Sequence, residues 1–148
     1  MERLRFMHLR FVLAACVALL AAAGCASTNT TGVGIDAQRA ALYRAHAGEP
    51  IDGFLGRINS WTSLDDTALV VWTGANRGYL LEVMGPCQEL PWAHTITLSN
   101  GQFDRVSRFD ELRVIGRGVA AIPCQIREIR PIDVKAVKEA RKQAREAG

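Results

Sequence analysis

Short apolar runs separated by turn residues fill residues 51–129, and this alternation limits the folds that the chain can adopt. Connections this short leave no room for the crossover helices that join parallel strands. The pattern therefore predicts a mainly β (α+β) fold, built as a small antiparallel barrel or a strongly bent sheet. The predicted strands cover residues 54–61, 68–73, 79–84, 94–99, 103–106, 112–117 and 124–129.

The fourth of these strands has the clearest pattern. Ile96 and Leu98 alternate with hydroxyl residues, the period of two that is typical of a strand with one face in the core. Asn100 and Gly101 follow directly, and both tolerate the positive φ angles of a type I′ turn. We therefore expect the next strand to fold back on this one as a hairpin.

A second strand pattern indicates the centre of the sheet. Residues 69–72 are apolar without interruption, which predicts a central strand that is buried on both sides. Asp65 and Asp66 precede this strand as a turn, and Gly74 to Gly78 form the turn after it. Arg77 would then lie at the tip of a hairpin.

The first 24 residues are predicted to be a targeting segment. Arg3, Arg5 and Arg10 precede an apolar run over residues 11–23, the arrangement of a secretory signal. A helix over this run reaches roughly 21 Å, which is short of the ~30 Å hydrocarbon core of a membrane. With Glu2, the segment holds +2 of the formal net charge of +3, so the mature chain is nearly neutral. We therefore expect no nucleic-acid partner.

Cys25 follows this segment in a sequence that resembles a bacterial lipobox. Small residues, including Ala22 and Gly24, precede the cysteine, although the position of Ala22 is usually leucine in a lipobox. We expect Cys25 to carry the acyl chains that anchor the protein. Ordinary cleavage, which would leave Cys25 as a free thiol, is the alternative. No aspartate follows Cys25, so the periplasmic side of the outer membrane is the predicted location, with residues 25–35 as a flexible tether.

Two cysteines remain for a disulfide. Cys16 leaves with the signal and Cys25 is assigned to the lipid, so Cys87 and Cys124 are expected to pair in an oxidising compartment. A redox function lacks the C-x-x-C motif that lowers a thiol pKa. A metal site that uses Cys87, His94 and Cys124 matches no compact zinc module, and no cofactor is predicted.

The mainly β domain is predicted to cover residues 36–133, starting with a short helix, and a second helix is predicted after it. Asp36 can cap a short helix, and Asp133 can cap a charged helix over residues 134–148. Val134 and Val137 give the second helix a thin apolar stripe. Its excess of basic residues is either a solvated face or a contact with anionic lipid or another envelope polymer.

Candidate catalytic residues are few. Ser99 or Ser107 could combine with His94 and Asp110, but no G-x-S-x-G motif accompanies them. Adjacent carboxylates such as Asp110 and Glu111 point to opposite faces of a strand, so they cannot converge on one reacting atom.

Aromatic and basic residues are the other candidates for ligand contact. Trp61, Trp72, Trp92 and Tyr79 could form a stacking platform, for which core packing is the alternative. Trp92, His94 and Arg77 are the candidate ligand contacts.

The chain resembles a family of short, uncharacterised proteobacterial lipoproteins. The resemblance is carried by residues 43–50, 69–73, 85–87 and 123–133. It implies an envelope location and a β domain with paired cysteines, and it supplies no active site.

Together these observations predict a lipid-anchored envelope lipoprotein that is a non-catalytic binding or structural module, with an envelope protein or polymer as its partner. The alternative is a small periplasmic hydrolase or lyase with a site near His94.

Overall fold

A computed structural model of the chain describes residues 31–99, 104–115 and 123–147. The helices of this part are α1 (Thr31–Ala45), a 3₁₀ helix (Leu90–Trp92) and α2 (Val134–Glu146). The strands are β1 (Gly53–Leu55), β2 (Ser60–Ser63), β3 (Ala68–Gly74), β4 (Arg77–Val83), β5 (Thr95–Leu98), β6 (Arg105–Ser107), β7 (Glu111–Ile115) and β8 (Pro123–Pro131). The signal segment, Cys25 and the first part of the tether lie outside these ranges. None of the described helices has the length and apolar character needed to cross a membrane.

Six of the strands form one antiparallel sheet in the order β2-β3-β4-β8-β7-β5. The sheet is strongly curled into a half-barrel, so the predicted fold class is confirmed. Strands β1 and β6 pair with each other in a separate two-stranded ribbon. Because the ends of the six-stranded order are β2 and β5, these two strands have only one neighbour each within the described sheet.

The alternation of side chains along β3 divides the core into two clusters, one on each face of the sheet. Leu69 and Val71 pack on the concave side with residues of β4, β7 and β8. Val70 packs on the other side, where Tyr43 of α1 and Val137 of α2 cover the sheet. The prediction of a central strand buried on both faces is therefore confirmed.

The pairing of β5 corrects the predicted hairpin. β5 pairs with β7, with Ile96 opposite Val114 and Leu98 opposite Leu112, while β6 pairs with β1. The turn residues Asn100 and Gly101 lie outside the described residues. The long-range pairing is favoured because Val114 and Leu112 are both buried in the concave core beside these two residues.

The first predicted strand, residues 54–61, is also divided in two. Gly56 adopts a φ of 136°, a conformation that residues with a side chain rarely adopt, and it ends β1. β2 starts at Ser60 and belongs to the other sheet. Phe54 consequently points into the core from the β1–β6 ribbon, stacked on Tyr79 at 3.9 Å between ring centroids.

One helix start differs from its prediction and the other agrees with it. α1 begins at Thr31, so residues 31–35 are helical and Asp36 is not its cap. Asp36 instead pairs with Arg39 one turn further on, as residues three apart do within a helix. The Asp133 side chain accepts a hydrogen bond from the Ala136 N–H at 3.0 Å, which confirms the predicted cap of α2.

Arg44 joins α1 to the sheet through two carboxylates. Its guanidinium lies 3.0 Å from Asp65 and 2.9 Å from Glu82. Burial alone raises the pKa of Asp65, but hydrogen bonds from Thr67 and Arg44 outweigh this effect and lower it. Burial likewise raises the pKa of Glu82, and Arg44 and Arg127 together lower it below its ordinary value.

We expect Arg44→Met to lower the free energy of unfolding by about 1 kcal/mol at pH 7, since the group is partly exposed and water screens its ion pairs. Asp65 and Glu82 have lower pKa values in the folded protein than their ordinary value of about 4 in the unfolded chain. Their ion pairs therefore stabilise the fold fully above this ordinary pKa, and the stabilisation is lost as the pH falls through the lowered pKa values. Urea unfolding at pH 7 and pH 3 should therefore show a difference between variant and wild type that shrinks in acid. Arg39→Met, in the exposed pair with Asp36, is the matched control and should change stability little at either pH.

Candidate functional site

The curled sheet brings its two end strands to one cleft. Side chains of β2 and β5 line the cleft together with the β1–β2 connection and the start of β6. The cleft has a volume of about 570 Å³. The 3₁₀ helix packs against β2, and its Leu90 is fully buried in the concave core. We call this cleft between β2 and β5 the seam.

Both end strands direct some of their backbone groups away from the single strand with which each of them pairs. The Leu64 N–H donates to the Ala68 carbonyl at 3.0 Å, and the Ser99 N–H donates to the Glu111 carbonyl at 3.0 Å. Because hydrogen-bonded pairs alternate along an antiparallel ladder, Trp61 and Ser63 in β2 direct their N–H and C=O groups away from β3.

The same alternation applies to β5. Ile96 and Leu98 direct their backbone groups away from β7. Within the described residues, none of these four outward-facing residues of β2 and β5 has a backbone hydrogen-bond partner on its free side. The seam is therefore bordered by two open strand edges.

The residues of the two edge strands themselves do not provide the usual protection against pairing. β2 and β5 contain no charged residue and no proline, the residues that commonly prevent pairing with another chain. An unprotected edge pairs readily with an added strand, and here two such edges border one cleft.

The seam has an apolar floor and a basic rim. Ile58, Trp61 and Ile96 are half-buried against the concave core. At the rim, Arg57 lies 3.7 Å from Asp104, and its side chain is 81% exposed. Arg105, also at the rim, has no ion-pair partner in the described part of the chain. The rim therefore has one positive charge in excess over an apolar floor.

Asp110 fixes the walls of the seam. Its carboxylate accepts a hydrogen bond from the Ser99 hydroxyl at 3.0 Å and from the Ser107 N–H at 2.7 Å. The Ser99 oxygen in turn accepts from the Glu111 N–H at 3.1 Å. With only 1% of its surface exposed, Asp110 connects the residue after β5, the last residue of β6 and the first residue of β7.

A family model matches almost the whole chain. Residues 7–148 match the family of unknown function DUF6491. The chain belongs to this family. No curated protein and no solved structure shows a significant match to it. Family membership therefore assigns no activity to the seam.

Cys87 and Cys124 form a disulfide, as predicted. Their Cα atoms lie 5.7 Å apart, and both residues are buried in the concave core. The bond connects the loop that precedes the 3₁₀ helix to β8. Since the two sulfur atoms are bonded to each other, the alternative metal site with His94 is not formed in this state. Among the described residues, no group of three or more His, Cys, Asp or Glu could hold a metal ion.

The structure separates the other candidate ligand contacts. Trp92 is 79% exposed on the 3₁₀ helix, and His94 is exposed just before β5. Arg77 begins β4, which β8 and β7 separate from β5. None of these three residues lines the seam.

The Ser/His/Asp combination is also not assembled on β5. His94 precedes β5 and Ser99 follows it, so the four residues of this extended strand separate them. Asp110 contacts Ser99 directly without a histidine between them. Asp110 and Ser99 therefore belong to a structural network, and no hydrogen bond joins Ser99 to His94 in the described part of the chain.

The predicted aromatic platform is divided as well. Trp72 contacts Tyr43 edge to face at 6.3 Å between centroids, on the face that the helices cover. Tyr79 stacks on Phe54 in the ribbon, and Trp61 alone reaches the seam.

Sequence reasoning missed the seam arginines Arg57 and Arg105. Arg57 lies in the β1–β2 connection and Arg105 begins β6. No local pattern indicates that they line one cleft, because the pairing of β1 with β6 joins distant parts of the chain.

Proposed function

We propose that this protein is a non-catalytic binding module of the Gram-negative cell envelope, held at the periplasmic side of the outer membrane by lipid on Cys25. Its binding site is the seam. The observation that carries the proposal is the pair of open, uncharged strand edges that border an apolar cleft with a basic rim. A cleft of this kind binds a ligand without requiring any reacting group.

The location rests on the start of the chain. An apolar run over residues 11–23 ends in small residues directly before Cys25, and lipidation at that position would hold the domain at a membrane surface. The chain after the signal is nearly neutral, which argues for a protein or polymer of the envelope as partner and against nucleic acid.

The ligand follows from the chemistry of the seam. Ile58 and Ile96 offer apolar contact, and the excess positive charge at Arg105 attracts an anionic group. The ligand should therefore combine apolar groups with negative charge. Most of the affinity should come from the buried apolar contacts, and the arginines should select the partner.

Site-specific photo-crosslinking in intact cells tests the proposal. A photoreactive benzoylphenylalanine replaces Thr97, an exposed residue that lines the seam. The same group at Lys135, an exposed position on α2, is the matched control. We expect a discrete adduct from position 97 that is absent from position 135. Cys25→Ser should release the protein from the membrane fraction and lower the adduct yield.

Two results would contradict the proposal. Identical adducts from both positions would show that the seam has no binding preference. Retention of the Cys25→Ser protein in the membrane fraction would contradict the proposed lipid anchor. An unmodified Cys25 in the mature protein, detected by mass spectrometry, would contradict it as well.

A further inference from the structure

We infer that the occupant of the seam is an extended polypeptide segment of a partner protein, which adds a strand between β2 and β5 and extends the half-barrel. This inference rests on the proposed binding function of the seam. It is carried by four residues that direct their backbone groups away from the sheet at its two free edges, Trp61, Ser63, Ile96 and Leu98, of which all but Ser63 line the seam.

The spacing of the open backbone groups matches a peptide. Trp61 and Ser63 are two residues apart in a strand, as are Ile96 and Leu98, so each edge repeats its donors and acceptors about every 6.6–6.8 Å. An extended peptide repeats its own N–H and C=O groups at the same interval. Acyl chains have no such groups, and the hydroxyls of a glycan have no matching order.

The topology also specifies how the added strand runs. All neighbours in the six-stranded sheet are antiparallel, so its two end strands run in opposite directions. A strand placed between them is antiparallel to one edge and parallel to the other. Both types of pairing use alternate residues of each edge, so the four open residues are the ones engaged in either orientation.

The composition of the seam specifies the segment. Each edge is four residues long, about 13 Å of strand, so about four residues of the partner pair with it. Alternate side chains of the segment would face the apolar floor at Ile58 and Ile96, and should be apolar. An acidic residue should lie near Arg105, whose charge has no ion-pair partner among the described residues.

The segments of this chain outside the described residues are less suitable occupants. Residues 25–30, 100–103 and 116–122 contain no aspartate or glutamate to meet Arg105. A second copy would offer the edge of a folded sheet with core layers on its faces. Such an edge would bring these core layers into the cleft with it, whereas a single extended strand brings none. The partner segment is therefore a separate, extended peptide.

The test begins with the adduct from position 97. After proteolysis, its mass and fragmentation distinguish a peptide from a lipid or a glycan, and we expect one peptide segment with alternating apolar residues and an acidic residue. That segment is then synthesised and added to the full chain in detergent, and amide hydrogen exchange is measured residue by residue. At a peptide concentration ten times the Kd, exchange should slow about tenfold at Trp61, Ser63, Ile96 and Leu98. Thr62 and Thr97, already paired with β3 and β7, should change less than about twofold.

Charge variants add a second measurement that does not depend on exchange. Arg105→Glu should weaken binding of the synthetic peptide about tenfold, because it places a like charge beside the acidic residue. Arg145→Glu on α2 makes the same charge change at an exposed helix position and should leave the affinity within about twofold. Thermal unfolding of both variants checks that each is folded.

The outcomes separate this inference from the proposed function. A lipid or glycan adduct at position 97, absent at position 135, would overturn strand addition and leave binding in the seam intact. Slowed exchange without the alternation, or equal effects of the two arginine variants, would also overturn strand addition. Equal adducts at both positions would overturn both proposals.

Discussion

Replacing Cys87 and Cys124 together by alanine is expected to lower the free energy of unfolding by about 4 kcal/mol. The two cysteines stand 37 residues apart, and closing a loop of this size removes much of the conformational freedom of the unfolded chain. The loss is a large part of the 5–15 kcal/mol that stabilises a typical domain. Urea unfolding of the full chain in detergent, at one pH and temperature, measures it.

The reduced wild-type protein is the matched control for the disulfide. Reduction breaks the same bond while it keeps both sulfur atoms in the core, so reduced wild type and the double alanine variant should differ by about 1 kcal/mol. A double variant as stable as the oxidised wild type would contradict the assignment of this bond as structural.

Asp110→Ala is expected to lower the free energy of unfolding by about 3 kcal/mol. The Asp110 carboxylate is fully buried and accepts hydrogen bonds from the Ser99 hydroxyl and the Ser107 N–H. The substitution would leave these two part-buried donors without their acceptor, and it would loosen β5 and β6 at the walls of the seam. Urea unfolding gives the change in stability, and amide hydrogen exchange at Ser107 shows whether the turn opens.

Ser99→Ala serves as the control for Asp110. It removes one hydroxyl from the network and keeps the bond from the Ser107 N–H, so the expected loss is about 1 kcal/mol. If Asp110→Ala cost no more than Ser99→Ala, the carboxylate would not organise this end of the seam.

Local patterns were sufficient to predict most of the strands and the fold class. The uninterrupted apolar run of β3 indicated burial on two faces, and Leu69 and Val70 do pack into different clusters. The alternation of Ile96 and Leu98 indicated which side of β5 faces the core. Turn residues such as Asp65 separated the strands correctly. Each of these signals lies within a few neighbouring residues, so no knowledge of partners was needed.

Pairing between distant segments could not be predicted in this way. Asn100 and Gly101 favour a local hairpin, but β5 pairs with β7, whose Leu112 and Val114 complete the concave core. The choice depends on the apolar surface buried by the whole sheet, which no single turn encodes. Gly56 similarly divides the predicted strand over residues 54–61 between two sheets, at a φ of 136° that favours glycine.

The seam depends on the same distant pairing. It exists because β2 and β5 are the ends of the sheet and because the curl brings them to one cleft. Sequence reasoning instead selected Trp92, His94 and Arg77 as ligand contacts, since a sequence shows the aromatic and basic residue types directly but does not show which backbone groups are unpaired. The backbone groups that define the seam carry no residue-specific signal, so they became apparent only from the strand register.

Amide hydrogen exchange of the unbound full chain tests directly whether β2 and β5 are open edges. The amides of Trp61, Ser63, Ile96 and Leu98 should exchange rapidly, while those of Thr62, Leu64, Thr97 and Ser99, which face β3 and β7, should be protected. This alternation along both strands is the result that we predict. Equal protection of all eight amides would show that the edges are already paired, and it would contradict the account.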